Sequence, residues 1–288
     1  MDLAVVIVLE VLYAIASLVL ISAGLAVVFG MMRIINLAHG EFLMLGGYAA
    51  IVATKAGVNI YFAMLVISPL VVGVIGLLVE RLVIRFLYGR MLDTMLATWG
   101  LSLLLTGAVT MIFGNTTTGI STPIPGIKVG DYQVGGYNLF IIAVAAALIA
   151  GIYAVLRTTR LGLVARGAMQ SADMASALGH NPSKIYMTTF AVGAALSGLA
   201  GGVLAPLTGL TPTTGALYVA KAFITVISGG AAIVTGTLSS SVLFGSISQL
   251  TMLATSPVLG DVAMLFAAVV LLRLLPQGIT GRLFTRRL

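Results

Sequence analysis

Cysteine is absent from this 288-residue chain, which excludes disulfide scaffolds, thiolate metal sites and cysteine nucleophiles. Charge is scarce: 8% of residues are Asp, Glu, Lys or Arg against 60% that are hydrophobic, too little polar surface to clothe a soluble domain of this length. An integral membrane protein is implied. No Gly-x-x-x-x-Gly-Lys-Ser/Thr occurs, so the chain has no P-loop with which to cradle nucleotide phosphates. A Gly-x-Ser-x-Gly nucleophile elbow is missing as well, and no catalytic residue is assigned. His39 and Glu41 supply too few ligands for a structural zinc site, and His180, the other histidine, sits in a distant polar loop. No metal and no cofactor is expected in this chain.

What is present is apolar sequence in long runs. A helix needs roughly 20 apolar residues to span a bilayer, and the candidate segments are 3–30, 42–54, 61–79, 91–113, 139–156, 185–204, 217–227, 238–253 and 262–275. The runs are continuous rather than alternating, which argues against a closed β-barrel. The expected fold is all-α, a polytopic transmembrane helical bundle of about eight or nine spans forming one domain over residues 1–288. Segments 42–54 and 217–227 are short and glycine-flanked, the pattern of broken or re-entrant helices, which survive only where protein or a water-filled cavity satisfies the freed backbone. The Met-Asp-Leu start lacks a basic n-region, and the first run is long enough to remain as a span.

Lys and Arg set the expected orientation. Arg33, then Arg81, Arg85 and Arg90, then Arg157, Arg160, Arg166 and Lys184, then Arg282, Arg286 and Arg287 fall in alternate connections. The other connections carry little beyond Lys55 and Lys128. The positive-inside rule places the first group in the cytoplasm. The N-terminus and a loop over about 114–138 are then external, and a loop over about 157–184 and the C-terminus are cytoplasmic. Such ends require an odd number of crossings: nine, or eight plus a segment that only partly crosses. The +7 net charge follows from this topology, and nothing else supports nucleic-acid binding.

Between two apolar runs lies Arg33-Ile-Ile-Asn36-Leu-Ala-His39-Gly40-Glu41. An ionisable side chain at the centre of a membrane helix costs about 2.5–3.5 kcal/mol on the insertion scale, so such groups tend to be functional. Gly40, with Gly30 and Gly46-Gly47, allows close backbone approach or a helix break at this depth. The segment is either a cytoplasmic turn of hydrogen-bonded polar groups or part of a translocation path lined or gated by Asn36, His39, Gly40 and Glu41. Lys221 lies inside 217–227 with no acidic neighbour in sequence. It either snorkels to the external interface or faces a cavity, where it could attract a carboxylate.

The loop 157–184 has helical patterning. Leu161, Val164, Ala168, Ala172 and Ala175 follow one stripe and Arg166, Gln170 and Asp173 another, which predicts a short amphipathic helix on the inner membrane face. Gly179 is placed to end it, and Asn181-Pro182 to start the next span, with Asn as N-cap. The small surface Ala175-Ser176-Ala177-x-Gly179 suits either a plain connector or a docking knob for a cytoplasmic partner. Further on, Gly193, Ser197 and Gly201 recur every four residues, as do Ala194, Gly198 and Gly202. Two adjacent small-residue stripes on one helix predict close helix packing.

These segments together resemble a known family. Asp173-Met-Ala-Ser-Ala-Leu-Gly179 is similar to the Glu-Ala-Ala-x-x-x-Gly loop by which permeases of ATP-binding-cassette (ABC) importers seat on their ATPases. Asn36-Leu-Ala-His39-Gly40-Glu41 resembles the Asn-x-Ala-His-Gly-Glu segment of LivH-like permeases for branched-chain amino acids and urea-type amides. Glu80-Arg81, Thr98-Trp99-Gly100-Leu-Ser102, Thr189-Phe190-Ala-x-Gly193, Lys221-Ala-Phe223 and Leu275-Pro276-x-Gly278-x-x-Gly281-Arg282 extend the likeness over nearly the whole chain. Two departures stand out: the Ile-x-Leu-Pro continuation of the docking loop is absent, and Ala232 replaces the third glycine of a Gly-Gly-x-Gly turn at Ser228–Gly236.

The resemblance implies a permease subunit working with a second related permease, two cytoplasmic ATPases that bind the ATP and Mg²⁺, and an external solute-binding protein. It implies ATPase coupling through Arg166, Gln170, Asp173, Ala175, Ala177 and Gly179. Lys221-Ala-Phe223 is closer to branched-chain amino-acid permeases, and Thr98-Trp99-Gly100 to urea and short-chain amide permeases. A hydrophobic amino acid is the expected substrate, with urea or a short-chain amide as the alternative. An ion-coupled carrier or channel would need no ATPase, and an intramembrane enzyme lacks a recognisable site.

Overall fold

The computed structural model describes residues 2–230 and 232–284. Its order is α1 (Asp2–Met32), α2 (His39–Lys55), α3 (Ile60–Phe62), a π-helical turn (Ala63–Ile67), α4 (Ser68–Leu82), a 3₁₀ turn (Ile84–Leu87), α5 (Met91–Phe113), β1 (Ile127–Val129), β2 (Tyr132–Val134), α6 (Gly136–Thr158), α7 (Arg160–Gln170), α8 (Ala172–Ala177), α9 (Pro182–Leu204), α10 (Thr214–Gly229), α11 (Ile233–Ala254), α12 (Pro257–Leu274) and α13 (Gly278–Phe284). The protein is an all-α polytopic membrane protein. Among the described residues, seven helices are long and apolar enough to cross a membrane, and Thr214–Gly229 is a shorter apolar helix. All the apolar runs expected to be helical are helical, and the two short ones, α2 and α10, are each unbroken. The interruptions fall beside them, at 33–38 and after Gly229. Arg286 and Arg287, used for the expected orientation, lie outside the described residues.

Helix starts follow their capping residues. Asn59 accepts from the Tyr61 and Phe62 amides, Asn181 from Lys184, and Ser256 from Leu259, the last two with proline in the first turn. The π turn has a local cause: Pro69 lacks an amide hydrogen and its ring crowds the carbonyl four residues back, so the ladder shifts before α4. The Ser68 hydroxyl lies 3.0 Å from the Ala63 carbonyl and 2.8 Å from that of Gly46. Within 114–138 a hairpin pairs Ile127 with Val134 and Val129 with Tyr132, a local structure that the sequence reading left as loop.

The chain divides into two compact units, one of Met1–Ser22, Thr122–Ala150 and Lys221–Leu288, the other of Ala23–Ser121 and Gly151–Ala220. The second is centred on α9. Phe190 meets Phe42 edge-to-face at 6.0 Å within a core that includes Val28, Val72, Val79 and Ala194. The small residues of α9 serve three neighbours. A Cβ at Gly193 would lie 2.9 Å from the Gly24 carbonyl of α1, and one at Gly201 would overlap the Leu43 carbonyl of α2. On the adjacent stripe, Gly198 meets Ser68 and Val72, and Gly202 meets Ser68, so this side receives α4. Such contacts need bare backbones.

In the first unit, Leu18, Phe244, Met264 and Ala268 form a core between α1, α11 and α12. The turn after α10 explains the missing third glycine. Gly230 has φ +84, which favours glycine, but Ala232 is extended at φ −89 and ψ 116 as the residue preceding α11. Thr280 closes the turn, accepting from the Ala232 amide at 3.3 Å and donating to the Gly229 carbonyl at 2.6 Å.

Candidate functional site in the 33–41 segment

The polar segment is folded back on itself and buried. After α1 the chain reverses at Arg33, which takes a left-handed φ of 52. The Asn36 side chain accepts from the Ala38 amide at 3.1 Å, and its carbonyl accepts from His39 at 3.2 Å, so Asn36 shapes the turn that starts α2. Thr98 on α5 tethers this turn: its hydroxyl accepts from the Leu37 amide at 3.1 Å and lies 3.4 Å from the Ile35 carbonyl. Asn36, His39 and Glu41 are all nearly inaccessible.

His39 reaches α9. Its Nδ1 is 3.2 Å from Ser197 Oγ, whose own hydrogen goes to the Gly193 carbonyl at 2.9 Å, so the shared proton belongs on Nδ1. Ser197 therefore holds the histidine as well as completing a packing stripe. Gly40 and Gly215 meet backbone to backbone, and a Cβ at Gly215 would lie 2.7 Å from the Gly40 carbonyl carbon. Glu41 hydrogen-bonds with the Ser102 side chain, while its Oε2 has no hydrogen-bond partner among the described residues. Thr98 and Ser102 are one turn apart on α5, so two stretches distant in sequence converge here. Neither Thr98 nor Ser102 stands out in the sequence as a site residue; their i, i+4 spacing is the signal that pairs them.

Lys221 is placed elsewhere, and its surroundings correct the sequence. Its Nζ lies 2.7 Å from Asp261 Oδ1 on α12, so an acidic partner exists forty residues away. Asp261 was missed because it was taken to precede its apolar run, whereas α12 begins four residues earlier, at Pro257.

The loop 157–184 holds two helices where one was expected. Ser171 is extended at φ −155 and its side chain accepts from the Met174 amide, ending α7 and starting α8. Leu161 departs from its expected stripe and points outward, whereas Ala175 is buried as its stripe implies, which removes it from the exposed docking surface. Arg166, Gln170, Asp173, Ala177 and Gly179 are exposed. Exposed Met174 and Leu178, also one turn apart, add an apolar pair that the sequence reading passed over. Gly179, at φ +83, closes α8 with His180 N–H to the Ala175 carbonyl at 3.0 Å and Gly179 N–H to Ser176 at 2.9 Å, a Schellman closure.

Glu80 also gains a partner. It is buried at the end of α4 and accepts a hydrogen bond from the Tyr88 hydroxyl. The Tyr88 ring packs edge-on against Tyr186 of α9 at 5.0 Å. Burial, then the Glu80 carboxylate, push the Tyr88 phenol well above its ordinary pKa, so it stays a donor.

Comparison with known proteins identifies the family. Residues 7–275 match the family model for the permease component of branched-chain amino acid transport systems. The chain is 27% identical over 285 residues to the high-affinity branched-chain amino acid transport system permease protein LivH of Escherichia coli K12, covering 91% of each chain. It is 28% identical over 279 residues to BraD of Pseudomonas aeruginosa, again covering 91% of each. A probable branched-chain amino acid transport permease of Methanocaldococcus jannaschii is 28% identical over 92% of this chain and 88% of its own. No solved structure matches significantly. The chain belongs to the family of permease components of branched-chain amino acid transport systems.

Proposed function

We propose that this chain is the membrane subunit of an ATP-driven importer, moving branched-chain or other hydrophobic amino acids inward by alternating access. Its relatives' names supply the substrate class. The observation that carries a transport role for the 33–41 segment is Glu41, buried in a nearly charge-free chain with one carboxyl oxygen unpartnered beside Ser102. A buried polar atom without a partner costs about 1–3 kcal/mol, so folding stability does not account for it. A path in which Asn36, His39, Gly40 and Glu41 are uncovered during transport does. Lys221 is a second residue that meets the solute, and its cation favours a solute with a carboxylate over urea.

The energy source is external to the chain. Two cytoplasmic ATPases bind ATP and Mg²⁺ and dock on the exposed surface of α7 and α8 through Arg166, Gln170, Asp173, Ala177 and Gly179. A second related permease completes the membrane part, and an external binding protein delivers solute. The N-terminus is external and the C-terminus cytoplasmic, as the basic connections require. Purification of the complex followed by reconstitution tests the whole reading. ATPase subunits should co-purify and uptake should require ATP, whereas flux through this chain alone without ATP refutes it. Glu41→Gln together with His39→Ala should reduce uptake in the assembled complex, and wild-type rates in both removes the segment from the path.

A further inference from the structure

Helix α10 carries a polar stripe. Thr214, Tyr218, Lys221, Thr225 and Ser228 are spaced four, three, four and three residues apart, which places them on one face of a helix. Exposed Ala216, Ala220 and Ile227 occupy the opposite face, and exposed Leu217 borders the stripe one turn before Lys221. Thr225 and Ser228 are buried, and the Ser228 hydroxyl has no hydrogen-bond partner among the described residues. Lys221 thus lies where the buried hydroxyls of the stripe meet the exposed surface at Leu217. The Lys221 and Asp261 side chains remain 34% and 49% exposed. A charge pair facing hydrocarbon is costly, so a pair this exposed on two apolar helices calls for water or a polar partner beside it.

We propose that Lys221 and Asp261 form an exchange site for the two ends of a zwitterionic solute. The Lys221 ammonium takes the solute carboxylate, the Asp261 carboxylate takes the solute ammonium, and the two side chains pair with each other when no solute is present. This rests on the importer reading and names the solute chemistry that the pair selects. The empty and loaded sites are both electrically neutral, and every charge keeps an opposite partner in each. A solute with one charge leaves Lys221 or Asp261 unpaired in a partly buried setting, which is unfavourable. Urea offers no charge to either side chain. The pair therefore favours amino acids over amines, carboxylic acids and amides.

The test uses the whole importer in proteoliposomes, with leucine-loaded binding protein outside, ATP inside and radiolabelled leucine as the probe. Asp261→Asn and Lys221→Gln should each lower the initial uptake rate by about 5-fold or more, the loss expected when one partner of a partly exposed charge pair is removed. The exchanged pair, Lys221→Asp with Asp261→Lys, should assemble but fail to restore uptake, because each end of the solute then meets the wrong sign. A structural staple behaves oppositely: exchange restores both assembly and uptake, and that result overturns the proposal. The absence of native cysteine permits a second measurement that does not depend on the exchanged pair folding. The Leu217→Cys variant, one turn before Lys221 at an exposed position, keeps both charges; it should react with a membrane-impermeant thiol reagent, followed by mass on this chain, and leucine should slow the reaction in proportion to occupancy. No labelling, or a rate that leucine leaves unchanged, overturns the exchange site. ATP-independent flux through the unaltered complex overturns the importer reading itself, and ATP-driven leucine uptake with unprotected labelling overturns the exchange site alone.

Discussion

Gly201→Ala should part α9 from α2 and lower the stability of the second unit. The added methyl would overlap the Leu43 carbonyl oxygen and lie 2.6 Å from its carbonyl carbon and 3.0 Å from its Cα. Carbon atoms prefer separations of about 3.5–4.0 Å, so the helices must move apart by about 1 Å. Every obstructing atom belongs to the backbone, and no rotamer change relieves the overlap. Overpacking of this kind costs about 1–3 kcal/mol, and with backbone on the far side the upper end applies. Alanine returns about 0.8–1.0 kcal/mol through its helix propensity, leaving a net loss of about 2 kcal/mol. At about 2–4 °C per kcal/mol, Tm should fall by about 4–8 °C in scanning calorimetry. Gly100→Ala on α5 is the control, since a methyl there meets nothing within 4 Å and receives the propensity gain alone. Equal shifts of the same sign in the two variants would refute the argument that bare backbone at Gly201 sets the α2–α9 separation.

Three further outcomes follow from named contacts. Thr98→Val deprives the Leu37 amide of its acceptor; it should cost about 1 kcal/mol in thermal unfolding, and Thr98→Ser should recover it. Tyr88→Phe keeps the ring against Tyr186 but leaves the buried Glu80 carboxyl short of a donor, a loss of about 1–3 kcal/mol that Glu80→Gln in the same chain should reduce, as a double-mutant cycle would measure. Gly179→Ala forces a side chain to φ +83 at a cost of about 1–2 kcal/mol, which should fray the end of α8; uptake per ATP hydrolysed should fall while global Tm changes little.

The class and the helices were legible because their signals are local. Continuous apolar runs mark spans, Asn181-Pro182 marks the start of α9, and Gly179 marks the end of α8, each through the conformation or hydrogen bond of its own neighbourhood. The break at Ser171 was misread because the apolar stripe passes through it without a change of period, and only the Ser171 cap shows that the helix restarts. Ala175 was expected on the outer surface for a related reason: small side chains fit either face, so composition could not tell docking from packing. The π turn had its signal in Pro69, which an apolar count does not register.

The polar residues were legible one by one but not as pairs. Scarcity drew attention to His39, Glu41 and Lys221, yet their partners Ser197, Ser102 and Asp261 lie 158, 61 and 40 residues away and became visible only in the fold. The same holds for Glu80 and Tyr88, where the carboxyl was conspicuous and its donor was not. These pairings give α9 a particular position. Its first turn follows the loop of the proposed ATPase contact, Tyr186 touches Tyr88 one turn in, and Ser197 holds His39 about 22 Å from the helix start at 1.5 Å per residue. With Gly193, Gly198, Gly201 and Gly202 fixing it against α1, α2 and α4 by bare backbone, α9 has little freedom to bend or slip. A displacement imposed at residues 172–181 would therefore be carried along a stiff element to Ser197 and the His39 ring it touches, which connects the proposed docking surface to the buried polar segment.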